Sequence, residues 1–258
     1  YSDRSMEKAL RENLAVKWFC GFGLTDPTPD YSYFSKLRKR IGTKRIATMF
    51  NDINQTLATH GLFGDVFTFI DASTIITKAA LWEERDRALA DGETKLNNSN
   101  VAQYAADSDA RWGAKSKNNL WFGHKRHCAV DMRHGLISKV AVTNASVPDF
   151  KVVRNILPKQ GAVFMDKLYD TNFTNQLVTA LGCHVATIQK NTRPDRNKDL
   201  NSWRSKIRMP FENVFSKLNK HARYRGHAKV TMQGFMQAIV HNLKKALVHI
   251  PKAVPVPA

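Results

Sequence analysis

The spacing of apolar residues changes character near residue 63. Before that point it is helical. Ser2 or Asp3 caps a stretch EKALRENLAVKWF, with Glu7 in its first turns, which predicts one helix. GFGLTDPTPD is broken by Gly and Pro and reads as a connector. Asp30 then caps YSYFSKLRKRIG, ending near Gly42, and RIATMFNDINQTLATHG supplies a third helix. The last long segment returns to helical spacing, with apolar residues at Met232, Phe235, Met236, Ile239, Val240, Leu243, Ala246, Leu247 and Ile250. A stripe of that kind is expected to pack on a core.

Between these helical ends the pattern is that of strands and short helices. VFTFIDA reads as a first strand, and WFGHKRHCAVDM with GLISKVAVTNA as a hairpin turning at Arg133–Gly135. A helix near Asp149, the strand GAVFMDK, a helix through TNFTNQLVTALG, the strand HVATIQK and a helix PFENVFSKLNKH follow. Three hairpin-linked strands followed by alternating helix and strand argue for a mixed sheet covered by helices. That order is the ribonuclease-H-like arrangement. The expected organisation is α/β: a small helical region over 1–62, a ribonuclease-H-like domain over 63–250, and a tail over 251–258. Residues 79–120 are polar and turn-rich and read as an insertion between the first two strands.

Charge narrows the class of partner. Forty Lys and Arg against 22 Asp and Glu leave a formal +18, which points to a polyanion, nucleic acid above all. The charge is concentrated. Lys36, Arg38, Lys39, Arg40, Lys44 and Arg45 lie together without an acid, and twelve Lys or Arg between Lys190 and Lys229 face only Asp195, Asp199 and Glu212. The front helices, with a basic middle one, then read either as a helix-turn-helix-like DNA reader or as a helical lid on the main domain. Three scattered cysteines fit a reducing compartment rather than a disulfide framework. No apolar run reaches the roughly 18 residues of a membrane span, so no membrane role is expected. The opening YSDRSMEKAL is unlike a signal peptide, and its lack of an initiator Met suggests a piece of a longer chain.

One carboxylate looks misplaced. Asp71 sits in FTFIDASTIITK, among Phe67, Phe69, Ile70, Ile75 and Ile76, where an unpaired charge is costly. Asp166 ends the apolar strand GAVFMD in the same way, and Glu212 lies at the border of the stripe Phe211, Val214, Phe215, Leu218. Taken singly, these residues suit a turn, a helix cap and a surface ion pair. In the inferred fold they converge, and a bound cation would neutralise them. Displacement at a phosphodiester asks for that grouping, because two Mg²⁺ ions roughly 3.5–4 Å apart serve the attacking and leaving oxygens. Mg²⁺ takes oxygen ligands and keeps several waters, so two Asp and one Glu suffice.

An ordered series of segments resembles the DDE transposases of bacterial insertion sequences. It runs SDRSMEKALRENLAVKWFCGFGL and PDYSYFSKLRKR at the front, IDASTI, DARWGAKSK with FGHKRHCAVD, then VFMDKLYD, RMPFENVFSKL and NLKKAL. The resemblance implies a metal-dependent endonuclease and strand-transfer enzyme with Asp71, Asp166 and Glu212 as catalytic and metal-binding triad. It implies two Mg²⁺, for which Mn²⁺ substitutes. Arg208 matches the Arg preceding the Glu and is a candidate for a strand phosphate; its other reading is an ion pair with Glu212, which Pro210 argues against. The Tyr and Lys positions of the wider group hold Ser205 and Asn219, with Lys217 and Lys220 close by.

DNA contacts are expected from Lys36, Arg38, Lys39, Arg40, Arg208, Lys217 and Lys220. The implied partners are double-stranded DNA, as terminal inverted repeats and target, and a second copy in a homodimer on DNA, in a nucleoid-associated bacterial cytoplasmic setting. Two alternatives are a ribonuclease-H-like nuclease without strand transfer and a non-catalytic DNA-binding protein derived from a transposase. Elsewhere, His124 and His127 read as structural or phosphate-facing, Asp131 as a turn residue, Asp149 and Asp170 as helix caps, and Asp107 and Asp109 as loop or site residues. Trp121 and Phe122 read as core, and Trp112 as a base-stacking candidate.

Overall fold

The structure, a computed structural model, describes residues 2–77, 97, 101, 105–116 and 119–249. It divides into two compact units, Tyr1–Ile46 and Ala47–Ala258.

The first unit is helical. Helix α1 (Asp3–Glu12) starts at Ser2, whose side chain accepts from the Ser5 N–H while the Ser5 hydroxyl takes the Ser2 N–H, a reciprocal cap. Asn13 ends α1 and caps α2 (Leu14–Phe19), so the single helix expected there is two. Asp30 accepts from the N–H groups of Ser32 and Tyr33 at the start of α3 (Tyr31–Thr59). These bonds hold its carboxyl below the usual range. At Gly42 (φ 63°, ψ −179°) α3 leaves helical geometry, in a region open to a residue without Cβ. The sequence places a helix end at that residue.

The second unit is built on a mixed sheet. Among the described residues it holds β1 (Phe67–Ile76), β2 (Arg111–Ser116), β3 (Asn119–Asp131), β4 (Leu136–Asn144), β5 (Ala162–Met165) and β6 (His184–Thr187). β3 pairs antiparallel with β1, β2 and β4, and β1–β5–β6 are parallel neighbours. The hairpin β3–β4 turns where expected, with Asp131 accepting from the Arg133 N–H at 2.9 Å and also holding the N–H groups of Gly64 and Asp65. Between the strands lie a 3₁₀ turn (Asp149–Val152) running into α4 (Val153–Ile156), a second 3₁₀ turn (Lys167–Tyr169) and α5 (Asn172–Ala180). Helices α6 (Lys198–Ser216) and α7 (His227–His249) follow β6. This is the ribonuclease-H-like arrangement of a mixed sheet flanked by helices.

Alternation along the strands divides the core into two faces. Phe69, Cys128, Val130 and Phe164 pack with Val214, Phe215 and Leu218 from α6 and the following turn, and with Ala238 of α7. Ile70, Ala129, Val163 and Met165 face Val153, Ile156, Tyr169 and Val178 on the other side. Each such apolar side chain, fully buried, contributes roughly 1.5–3 kcal/mol. Gly123 allows the strands to approach where β3 meets β1, since a Cβ there would lie 2.1 Å from the Ile75 carbonyl oxygen.

Several expectations are corrected. Most of the insertion 79–120 lies outside the described residues, but its end forms β2. Helix α6 begins at Lys198, capped by Asn197, not near Pro210, and runs through that proline. The 3₁₀ turn at Asp149 has no side-chain cap, because the Asp149 carboxylate takes the Lys125 ammonium at 2.9 Å instead. Thr171 caps α5, while Asp170 accepts from the Lys190 N–H and from Arg193. The apolar stripe of α7 is only partly core: Met232 and Ala246 are buried, whereas Met236, Val240, Leu243 and Leu247 are exposed.

Candidate active site

Asp71 and Asp166 come together through strand register. Ile70 pairs with Met165 in the parallel ladder β1–β5, so Asp71, within β1, lies beside Asp166, the first residue past β5. Phe69 and Phe164, two positions earlier, both face the α6 side of the sheet, and so does Cys128, the register partner of Asp71 on β3. By alternation the two carboxylates share that side. Helix α6 lies over it, with Phe215 edge-on to Phe69 (centroids 5.7 Å) and Trp203 on Phe164 (6.0 Å). One turn apart on α6, Arg208 and Glu212 complete the group. Arg208 Nη2 is 3.2 Å from Glu212 Oε1 and 3.9 Å from Asp166 Oδ1, and its guanidinium lies 5.7 Å over the Phe69 ring.

The electrostatics answer why an acid sits in β1. Burial pushes the Asp71 carboxyl up to about 6, with Asp166 and Asp149 adding in the same sense. The Ala72 N–H, at 2.8 Å, and the Arg208 charge oppose the rise. Asp166 accepts from the Lys167 N–H at the start of the second 3₁₀ turn, so it is a cap as well as a member of the cluster. Among the described residues no three His, Cys, Asp or Glu are grouped closely enough to hold a metal ion between them. Arg208 lies between Asp166 and Glu212 instead. The ion pair that Pro210 argued against is therefore present: the proline lacks an N–H, yet α6 stays continuous and brings positions 208 and 212 onto one face.

A family model described as a transposase DDE domain matches residues 63–243. The chain belongs to the transposase DDE domain family. A second model, described as a transposase domain (DUF772), matches residues 1–40. No solved structure matches the chain. The protein is thus an enzyme of the transposase class, with DNA as its substrate. Among the described residues of this transposase no helix is long and apolar enough to cross a membrane.

The remaining candidates fall outside the carboxylate cluster. Trp112 is buried against Phe122 (5.4 Å) and has no face to offer a base. Trp121 and Phe122 are core as expected. His124 is buried and pairs with Asp107 at 3.1 Å, and His127 with Thr143 at 2.9 Å. Burial pushes the His127 imidazole down to about 4, so it is neutral and structural rather than phosphate-facing. Asp109 takes the His227 N–H at 2.8 Å, a loop role. Burial also lifts the Cys128 thiol to about 11, which leaves it unreactive. Lys36, Lys39 and Arg40 are exposed on the first unit, while Arg38 forks onto Asp3 with one bond of 2.9 Å. Lys217 and Lys220 are exposed just past α6, and Lys217 lines a groove of about 1070 Å³ with Met236, Val240 and Val248. Sequence reasoning gave Arg126 no part. It is fully buried on the carboxylate side of β3, bonded to Ser73 at 3.0 Å and to Gln237, and only its place two residues from Cys128 signals this.

Proposed function

We propose that the protein cuts DNA at the ends of a transposable element and joins the freed ends to target DNA, with Asp71, Asp166 and Glu212 as its catalytic and metal-binding residues. The observation that carries this reading is the pairing of Ile70 with Met165, which sets the next residues, Asp71 and Asp166, beside each other, with Arg208 of α6 reaching both Asp166 and Glu212. The donor set is all carboxylate oxygen, which suits Mg²⁺ and, in its place, Mn²⁺. A desolvated carboxyl lifted to about 6 is also a group in want of a cation. Asp71, Asp166 and, once it turns from Arg208, Glu212 would hold the two ions. When bound, they would polarise the scissile phosphate and acidify the attacking water.

In cutting, water bonds to phosphorus while the bond to the 3′ oxygen breaks, and the proton the water gives up ends, through solvent, on the leaving 3′ oxygen as its hydroxyl. In joining, the freed 3′ oxygen displaces a target 3′ oxygen in the same way, so one cluster serves both. Asp71, fixed by its strand and its Ala72 N–H, is the rigid member. Glu212, half-exposed on α6, is the mobile one. Arg208, Lys217 and Lys220 would supply cations to the DNA backbone. The exposed Lys36, Lys39 and Arg40, with Arg38, would grip the terminal repeats from the first unit. Affinity then falls steeply with salt.

Two ends must be held at once, which calls for a homodimer on DNA. Met236, Val240, Leu243 and Leu247 on α7 are exposed at 4-3-4 spacing, the seam of a two-stranded helix pair. That face is where two copies would meet.

The experiment is strand transfer with a labelled end oligonucleotide and a target plasmid in Mg²⁺ or Mn²⁺. Joined product is expected from the native chain, and bound but uncut DNA from Asp166→Asn and Glu212→Gln. Nicks without joining would instead indicate a nuclease, and a shift without nicks, with or without metal, a binding protein.

A further inference from the structure

Arg208 is charge-paired without being fully hydrogen-bonded. The guanidinium lies against two carboxylates: it touches Glu212 at 3.2 Å and approaches Asp166 only to 3.9 Å. Neither carboxylate receives the two-bond fork that makes an arginine pair strong, whereas Arg38 forks fully onto Asp3 in the same protein. Arg208 Nε is buried without a hydrogen-bond partner, although a buried N–H of a charged group normally finds one. The pair with Glu212 also runs basic-to-acidic along the helix, the weaker order for residues four apart. The guanidinium thus supplies charge to the cluster while its donors stay under-used. It is placed to be exchanged.

We propose that Arg208 is a latch: it stands in for divalent metal while DNA is absent, and a DNA phosphate draws its guanidinium away, so that DNA engagement and metal uptake are coupled. This rests on the reading of Asp71, Asp166 and Glu212 as metal ligands. A phosphate offers the two-oxygen face that the fork lacks in the cluster, and the unpartnered Nε gains an acceptor. Leaving, Arg208 frees Glu212, whose side chain is 50 % exposed and can turn towards the aspartates. The coupling is reciprocal by linkage, so metal must tighten DNA binding by the factor with which DNA tightens metal binding. The device keeps the cluster from loading metal before a strand is in place.

The test is Mn²⁺ binding to the full chain, read by the paramagnetic resonance of free Mn²⁺, with and without a short duplex of arbitrary sequence and corrected for Mn²⁺ held by the duplex alone. The native chain is expected to bind Mn²⁺ weakly and to gain about tenfold or more in affinity with DNA, within the usual range of allosteric coupling. Arg208→Gln is expected to bind tightly already, with DNA adding less than about twofold. Arg208→Lys, which keeps the charge but not the fork, controls for folding and is expected to fall between them. If DNA raises the Mn²⁺ affinity of Arg208→Gln as much as that of the native chain, Arg208 is merely one charge among many and the latch is refuted. Asp166→Asn separates the two ideas. Loss of Mn²⁺ binding there with coupling intact in Arg208→Gln sinks the latch alone, whereas unchanged Mn²⁺ binding in Asp166→Asn sinks the metal site and the latch with it.

Discussion

Asp71→Asn should make the metal-free protein more stable at neutral pH while abolishing its chemistry. Burial lifts the Asp71 carboxyl from 3.8 to about 6, so the ionised form costs the fold about 3 kcal/mol. The sign follows from proton counts. Between about pH 4 and pH 6 the folded protein keeps a proton that the unfolded chain has released, so stability falls as pH rises through that window. Below it the penalty is absent, and above it the penalty is complete. Asparagine carries no charge and its side-chain oxygen can still accept from the Ala72 N–H. Allowing for relaxation, the variant should gain about 1–3 kcal/mol at pH 7.5, or roughly 3–10 °C in melting temperature for a chain of this size. The assay is urea unfolding in chelator from pH 4.5 to 7.5, read as the difference between variant and native chain, in which other carboxylates cancel. A difference that stays flat with pH, or a variant less stable at pH 7.5, refutes the reasoning. Adding Mg²⁺ should then raise the stability of the native chain and leave the variant nearly unmoved.

Three further outcomes are expected. Asp170 is buried and holds Arg193 at 2.8 Å and the Lys190 N–H, bonds that set its carboxyl below the usual range despite burial. Asp170→Ala should cost about 2–3 kcal/mol in urea unfolding, less than the 3–5 of a fully buried pair because Arg193 is partly exposed. The native contribution is present above about pH 4 and should fade as pH falls through the lowered value. Trp112→Ala should cost roughly 3–5 kcal/mol through the cavity left beside Phe122, with DNA affinity per folded molecule unchanged; a stable variant with weak single-strand binding would restore the base-stacking role. Leu243→Glu, on the exposed face of α7, should leave the melting temperature within about 2 °C, as surface changes do, yet reduce two-copy complexes on end DNA in light scattering.

What could be read from the sequence was what local chemistry decides. Ser2 and Asp30 cap the helices they were expected to cap, Gly42 interrupts α3, and the Arg133–Gly135 turn sets the β3–β4 register, which fixes everything paired to it. Several misreadings involve side chains whose partners are distant in sequence. Asp149 and Asp170 look like caps until Lys125 and Arg193 arrive from other segments. Trp112 looks like a platform in a polar loop until β2 pairs with β3 and buries it. Pro210 looks like a helix start because its missing N–H outweighs, locally, the cap at Asn197 well upstream.

The carboxylate cluster shows both sides of that limit. Its aspartates were legible because an acid in an apolar, β-branched run has few reasons to be there, and two such runs in a parallel order must bring their ends together. Arg208 was not placed, since whether a cation pairs with an acid four residues away depends on the helix staying whole between them. That one undecided helix turn determines the state of the site. With α6 continuous, the positive charge nearest the aspartates in this structure comes from the chain itself. A cation acting there would first compete with Arg208, and on the latch proposed above that competition would couple metal uptake to DNA engagement.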